Sequence, residues 1–160
     1  MLTRFLLVAC CAALLITCKP KETSQPAVPE VNDQPVLTMT KTSGEEVFLR
    51  GLDGKMILIF FNPDCDHCQN EAKAIAENKG LFKDYELYFI SSDSAHNITK
   101  FAADYGLNEP NMHLGRAEPM DVYRAMGPLD AVPAIFIYNN RKKVKEFKGE
   151  TPLAELQQYL

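Results

Sequence analysis

Long runs of positive charge are missing from the 160-residue sequence: 17 lysines and arginines face 21 aspartates and glutamates, for a formal net charge of −4. That balance argues against nucleic acid as a partner, and acidity this mild mainly serves solubility. No internal repeat or low-complexity tract is present, so nothing competes with one folded domain of ordinary size. Cysteine is scarce where it would matter for a disulfide framework. Of five, Cys10, Cys11 and Cys18 lie in the leader region, and only Cys65 and Cys68 remain for the body. No two histidines have metal-ligand spacing. The apolar run Phe5 to Ile16 is too short to span a bilayer as a stable anchor, and tryptophan is absent altogether.

What is present begins with an export signal. Arg4 supplies the positive start and Phe5 to Ile16 the apolar core, so residues 1–17 are read as a signal peptide outside the fold. Leu15-Ile16-Thr17-Cys18 resembles a bacterial lipoprotein signal, in which Cys18 becomes the lipidated first residue, although Thr17 stands where Gly, Ala or Ser is usual. Plain secretion and an uncleaved anchor are the alternatives, and export follows from each. Residues 18–35 carry Pro20, Pro26 and Pro29 among Lys, Glu, Ser and Gln, with too little apolar surface to pack, which predicts a flexible tether. The folded body is expected over residues 36–160.

Its centre is Met56 to Cys68, Met-Ile-Leu-Ile-Phe-Phe-Asn-Pro-Asp-Cys-Asp-His-Cys. Six apolar residues without alternation predict a strand buried on both faces of a parallel sheet, and Asn62-Pro63-Asp64 ends it. Asp66 to Gly80 then reads as a helix with Ala72, Ile75 and Ala76 on one face. Cys65 therefore sits at the helix's amino end, where unpaired N–H groups and the dipole favour an anion. Its sulfur should be a thiolate more often than a free cysteine, whose pKa is roughly 8.5. Cys68, one turn further on, is placed to resolve it.

Around this centre the chain alternates strand and helix. Val36 to Thr40 and Val47 to Leu49 flank a turn and predict a hairpin. Leu87 to Ile90 is a second buried strand; Ile98, Phe101, Ala102 and Tyr105 recur at helical spacing and Gly106 stops that helix. Met112 to Leu114 predicts a short edge strand, Met120 to Met126 a short helix, Ala134 to Tyr138 a third buried strand, and Val144 and Phe147 an antiparallel strand after an Asn139-Asn140 turn. Thr151-Pro152 opens a terminal helix with Leu153, Leu156 and Leu160 facing inward. The expected fold is α/β, a mixed central sheet with helices on both faces and an N-terminal β-hairpin extension.

Over roughly Val36 to Leu160 these residues resemble a thioredoxin-fold protein, specifically the TlpA/ResA-like thiol-disulfide oxidoreductases of the bacterial envelope, related to AhpC/TSA proteins. The resemblance is carried by the leading hairpin with Asp53-Gly54-Lys55, the strand that ends in the Cys-x-x-Cys helix, Phe101 to Gly106, and Ala131-Val132-Pro133 before the third strand. It implies that Pro133 is cis and faces the cysteines, and that the backbone of Val132 aligns a substrate chain. Two features depart from the family. Asp64 replaces the Trp usual before the first cysteine, and Ile59 stands where thioredoxin has a buried acid. Proton transfer at Cys68 then falls to Asp66, His67 or Glu71, which sequence does not rank. His67, just before the second cysteine, resembles the oxidising DsbA type, whereas Asp64 and Asp66 disfavour a thiolate, so the direction of electron flow stays open.

Four readings of the cysteine pair are thus in play: disulfide exchange with protein thiols and a redox partner protein, needing no dissociable cofactor; an inert structural disulfide; a copper- or zinc-binding delivery module using Cys65, His67 and Cys68 with His96 or His113; and a peroxiredoxin-like peroxidase. A two-residue loop stabilises little by closure. Copper-delivery relatives space their cysteines by three residues, and the peroxidatic Pro-x-x-x-Thr-x-x-Cys pattern is missing. Disulfide exchange with no resident metal is the expectation, Cys65 and Cys68 acting with Asp64, Asp66, His67 and Glu71 as neighbours and Val132 and Pro133 as the docking element.

Overall fold

A computed structural model describes residues 31–160. The expected signal peptide, Cys18 and most of the tether lie outside the described residues. The tether's last residues do not hang free. The Asn32 side-chain amide donates to the Arg50 carbonyl (3.0 Å), the Asp33 N–H to the Arg141 carbonyl (2.9 Å) and the Gln34 amide to the Leu52 carbonyl (2.6 Å), with Gln34 buried. The packed body therefore starts a few residues ahead of position 36, because these polar side chains find backbone partners that an apolar segment could not use.

Seven strands form one mixed sheet: β1 (Thr38–Lys41), β2 (Glu46–Phe48), β3 (Lys55–Phe60), β4 (Glu86–Ser91), β5 (Met112–Arg116), β6 (Ala134–Asn139) and β7 (Lys142–Lys148), ordered β2-β1-β5-β4-β3-β6-β7. β3, β4 and β5 run parallel; β6 is antiparallel to β3 and β7 to β6. Both faces of β3 are buried, as its unbroken apolar run requires. Ile57 and Ile59 enter one core with Phe61, Cys68, Ala72, Ile75, Phe89 and Phe101, whereas Met56, Leu58 and Phe60 enter the other with Met39, Tyr88, Val122 and Phe136. The helices divide accordingly. The first core receives α1 (Asp66–Glu77), α2 (Ala95–Tyr105) and the one-turn α4 (Leu153–Leu156), and the second receives α3 (Pro119–Met126).

The fold is thus the expected mixed sheet with helices on both faces, and three local boundaries differ. α1 stops at Glu77, where Asn78 donates its side-chain amide to the Ala74 carbonyl (2.9 Å); Gly80 lies in a following 3-10 turn, Lys79–Phe82, that buries Phe82. The terminal helix lasts one turn and continues as a 3-10 segment, Gln157–Tyr159. Thr151 does not cap it, because its hydroxyl donates to the Gly149 carbonyl (3.1 Å).

The third difference is larger. β5, expected at an edge, is interior, because β1 of the hairpin pairs antiparallel along its outer side, Thr40 opposite Arg116 and Lys41 opposite Gly115. Gly115 makes this approach possible. A Cβ there would lie 2.5 Å from the Thr40 carbonyl oxygen and 2.7 Å from the Met39 Cγ, closer than real contacts allow. Gly115→Ala should therefore loosen the hairpin and destabilise the domain by about 1–3 kcal/mol, a change that urea unfolding of the variant will read as a lower midpoint.

Candidate active site

The sheet delivers Cys65 to the carboxyl end of β3. There the Phe61 N–H donates to the Ile90 carbonyl (3.0 Å), and Asn62 begins a tight turn whose side-chain oxygen accepts from the Asp64 N–H (2.9 Å). The Cys65 N–H donates to the Asn62 carbonyl (3.1 Å), and the Gln69 side chain ties α1 back to the Pro63 carbonyl (3.0 Å). Cys65 is the amino-terminal cap residue of α1, in extended conformation, with no side-chain capping bond. Cys65 is half-buried at the positive end of the helix, while Cys68, one turn on, is 2% exposed.

The second element arrives from far along the chain. β6 pairs with β3 so that Ala134 lies opposite Phe60, which brings the residues just before β6 alongside those just after β3. The Val132-Pro133 peptide bond is cis, and Cys65 Sγ lies 3.7 Å from the Val132 carbonyl oxygen, within hydrogen-bonding reach for a thiol. The expected docking pair and the expected nucleophile thus meet.

The loop after β7 completes the surroundings. Three consecutive residues each bind an element of the site: the Gly149 N–H donates to the Pro133 carbonyl (2.8 Å), Glu150 Oε2 meets His67 Nδ1 (2.8 Å), and the Thr151 N–H donates to Glu71 Oε2 (2.8 Å). Asn70 adds a longer bond to Glu150 (3.3 Å). Between this loop and α1 lies a groove of about 590 Å³ lined by His67, Asn70, Glu71 and residues 149–153.

Electrostatics separate the candidates for proton transfer. Asp64, Asp66 and His67 are exposed to solvent, whereas Glu71 is 2% exposed with Oε1 unpartnered. Burial pushes the Glu71 carboxyl up to about 7, against the pull of the Thr151 N–H and with help from the charge of Glu150. Burial likewise pushes the Cys68 thiol up to about 12; a backbone hydrogen bond from Asn62 opposes this, and Cys65 and the Glu71 charge reinforce it. Hydrogen bonds from His67 and Asn70 hold the Glu150 carboxyl below its usual range. Of the three groups that sequence left unranked, Glu71 is the buried one, and its burial brings its titration to neutrality.

The remaining histidines stand elsewhere. His96 is exposed in the first turn of α2, and His113 pairs with Glu86 (2.6 Å) across β4 and β5. Among the described residues no cluster of three or more His, Cys, Asp or Glu could hold a metal ion. Sequence reasoning missed Glu150 and Thr151. Counting the hairpin back from the Asn139-Asn140 turn would have come within one residue of them: an irregularity between Ile137 and Tyr138 shifts the register so that Lys148 lies opposite Ala134, which carries the next residues to Pro133.

Comparison with known proteins agrees with this geometry. An uncharacterized thioredoxin-like protein from Porphyromonas gingivalis superimposes with a TM-score of 0.63 at 26% identity, over 79% of this chain and 87% of that one. A secreted Mycobacterium tuberculosis disulfide oxidoreductase homologous to E. coli DsbE shares the fold, with a TM-score of 0.61 at 20% identity over 78% and 93% of the two chains. Protein disulfide isomerase-like 1-3 of Oryza sativa is 41% identical over 71 residues, which are 44% of this chain and only 12% of that protein. The AhpC/TSA family model matches residues 31–147, so this thioredoxin-like chain belongs to the AhpC/TSA family.

Proposed function

We propose that the protein is a thiol-disulfide oxidoreductase in which Cys65 and Cys68 exchange a disulfide with protein partners. The observation that carries this reading is the half-buried Cys65 at a helix amino end, beside the Val132 carbonyl and the cis Val132-Pro133 bond, with Cys68 buried one turn deeper. In the reducing direction the Cys65 thiolate attacks one sulfur of a partner disulfide and expels the other as a thiolate. The Cys68 thiol then gives its proton to the Glu71 carboxylate and attacks the Cys65 sulfur. The mixed disulfide breaks, the partner leaves with both sulfurs reduced, and the Cys65–Cys68 bond holds the oxidising equivalents. Every step reverses for oxidation of a dithiol.

Glu71 suits that task on two counts. A thiol with a pKa of about 12 does not ionise unaided at neutrality, and a carboxyl with a pKa of about 7 is there both a competent acceptor and a competent donor. The backbone of Val132, adjoining Pro133, offers an extended partner chain an edge to lie against. The relative from Mycobacterium tuberculosis that is described as secreted, together with the leader pattern, supports export through residues 1–17; lipid attachment at Cys18 and a tether leading to the body rest on the sequence pattern. The protein would then work in the cell envelope, held to a membrane by its lipid, taking electrons from or passing them to another protein.

Three measurements test this. Mature protein should gain two titratable thiols on reduction and exchange with glutathione; Cys65→Ser should abolish exchange and Cys68→Ser should trap mixed disulfides, whereas undiminished exchange without Cys65 rejects the assignment. The raised pKa of Glu71 also shapes stability. Below about 4.5 the group is protonated folded and unfolded, and above about 7 it is ionised in both, so the penalty for burying its charge grows between these values and reaches about 3 kcal/mol. Denaturation of wild type should show stability falling from pH 5 to pH 7.5 by about that amount at most, and Glu71→Gln should flatten the slope. Finally, the mass of protein extracted from membranes should include acyl groups on Cys18, and a mature mass without them removes the anchor.

A further inference from the structure

His67 is the one ionisable side chain between the two cysteines that can carry positive charge, and the structure commits it to a partner other than sulfur. Its Nδ1 lies 2.8 Å from Glu150 Oε2, and Asn70 holds the same oxygen at 3.3 Å. The backbone on either side of Glu150 is pinned. The Gly149 N–H is bonded to the Pro133 carbonyl (2.8 Å) and the Thr151 N–H to Glu71 Oε2 (2.8 Å), with Gly149 at φ +85°, a conformation open to glycine and strained for other residues. An ion pair whose side chains are 70% and 41% exposed contributes little to folding, so this clamped arrangement calls for another account.

We propose that Glu150 is a positioning residue that draws His67 away from Cys65 and cancels its charge, keeping the Cys65/Cys68 couple more reducing than a free histidine between the cysteines would make it. The proposal rests on the reading of Cys65 and Cys68 as a redox pair. In the exchange with glutathione, two glutathione thiols supply two electrons; the Cys65–Cys68 bond breaks, the bond of glutathione disulfide forms, and the protein is left with one thiol and one thiolate, a proton going to solvent. Whatever stabilises the Cys65 thiolate pulls this equilibrium toward reduced protein. The charged groups that line the groove with His67 are Glu150 and Glu71, and the exposed Asp64 and Asp66 precede it in the chain; all four are acidic. With His67 matched to Glu150, the side-chain charges left beside Cys65 are those of Asp64 and Asp66, which oppose the thiolate that the helix amino end favours. Without Glu150 the imidazole is free to turn toward Cys65 and its positive charge is uncompensated, so the thiolate gains.

The test is the equilibrium of the full mature protein with defined ratios of reduced and oxidised glutathione, for wild type, Glu150→Gln, Glu150→Asp, His67→Asn and the double variant Glu150→Gln/His67→Asn. Glu150→Gln should shift the equilibrium toward reduced protein by about three- to tenfold, tenfold being about 30 mV, and Glu150→Asp should restore most of the difference. In the His67→Asn background the same Glu150→Gln change should move the equilibrium by less than about twofold, since the two residues act as one unit. A Glu150→Gln equilibrium within twofold of wild type, or an equal shift with and without His67, overturns the proposal while leaving disulfide exchange standing. Failure of wild type to equilibrate with glutathione at all would take down the exchange reading and this inference with it.

Discussion

The antiparallel ladder between β3 and β6, from Lys55 opposite Asn139 to Phe60 opposite Ala134, is the constraint on which the rest depends. It makes the end of one strand the neighbour of the beginning of the other, so two segments separated by 67 residues meet at a single sulfur and a single carbonyl. A one-residue slip of β6 would turn Ile135 and Ile137 out of the core they share with Ile57 and Ile59 and carry Val132 away from Cys65. Packing and site geometry are therefore held by the same contacts. The alternation of β3 between two separate cores, each closed by its own helices, gives this register its strength.

Burial then divides labour between two chemically identical side chains. Cys65, at the end of the strand, reaches solvent; Cys68, turned into the core with Ala72 and Ile75, does not. Carrying a carboxyl into the same apolar layer is costly, and the cost is visible in an oxygen with no partner and a proton held to neutrality. A residue that weakens the fold at neutral pH and sits beside a thiol too weakly acidic to ionise unaided is an expected signature of a working site.

Much of this was legible in the amino-acid order, for reasons that can be named. The double-faced strand and the Cys-x-x-Cys at a helix start are local patterns, set by periodicity and by residues that break it, whereas the part of Val132-Pro133 was implied by the family resemblance. The interior position of β5 was not, because strand order depends on whether another backbone can come close, and a single glycine at position 115 decides that. The short terminal helix was overestimated because Leu153, Leu156 and Leu160 keep helical spacing while the chain tightens into a 3-10 turn after the first four residues. Nor could sequence rank Asp66, His67 and Glu71, since their ranking depends on which of them the loop after β7 covers.

That loop has an implication for where the site ends. Thr151 tethers the buried carboxyl by its main-chain amide, and the turn of helix that follows lays Leu156 over the same apolar layer. Residues 151–153 hold no cysteine, yet they wall the groove that Glu71 and His67 line. Material fused close behind them would therefore adjoin the candidate site as well as the core.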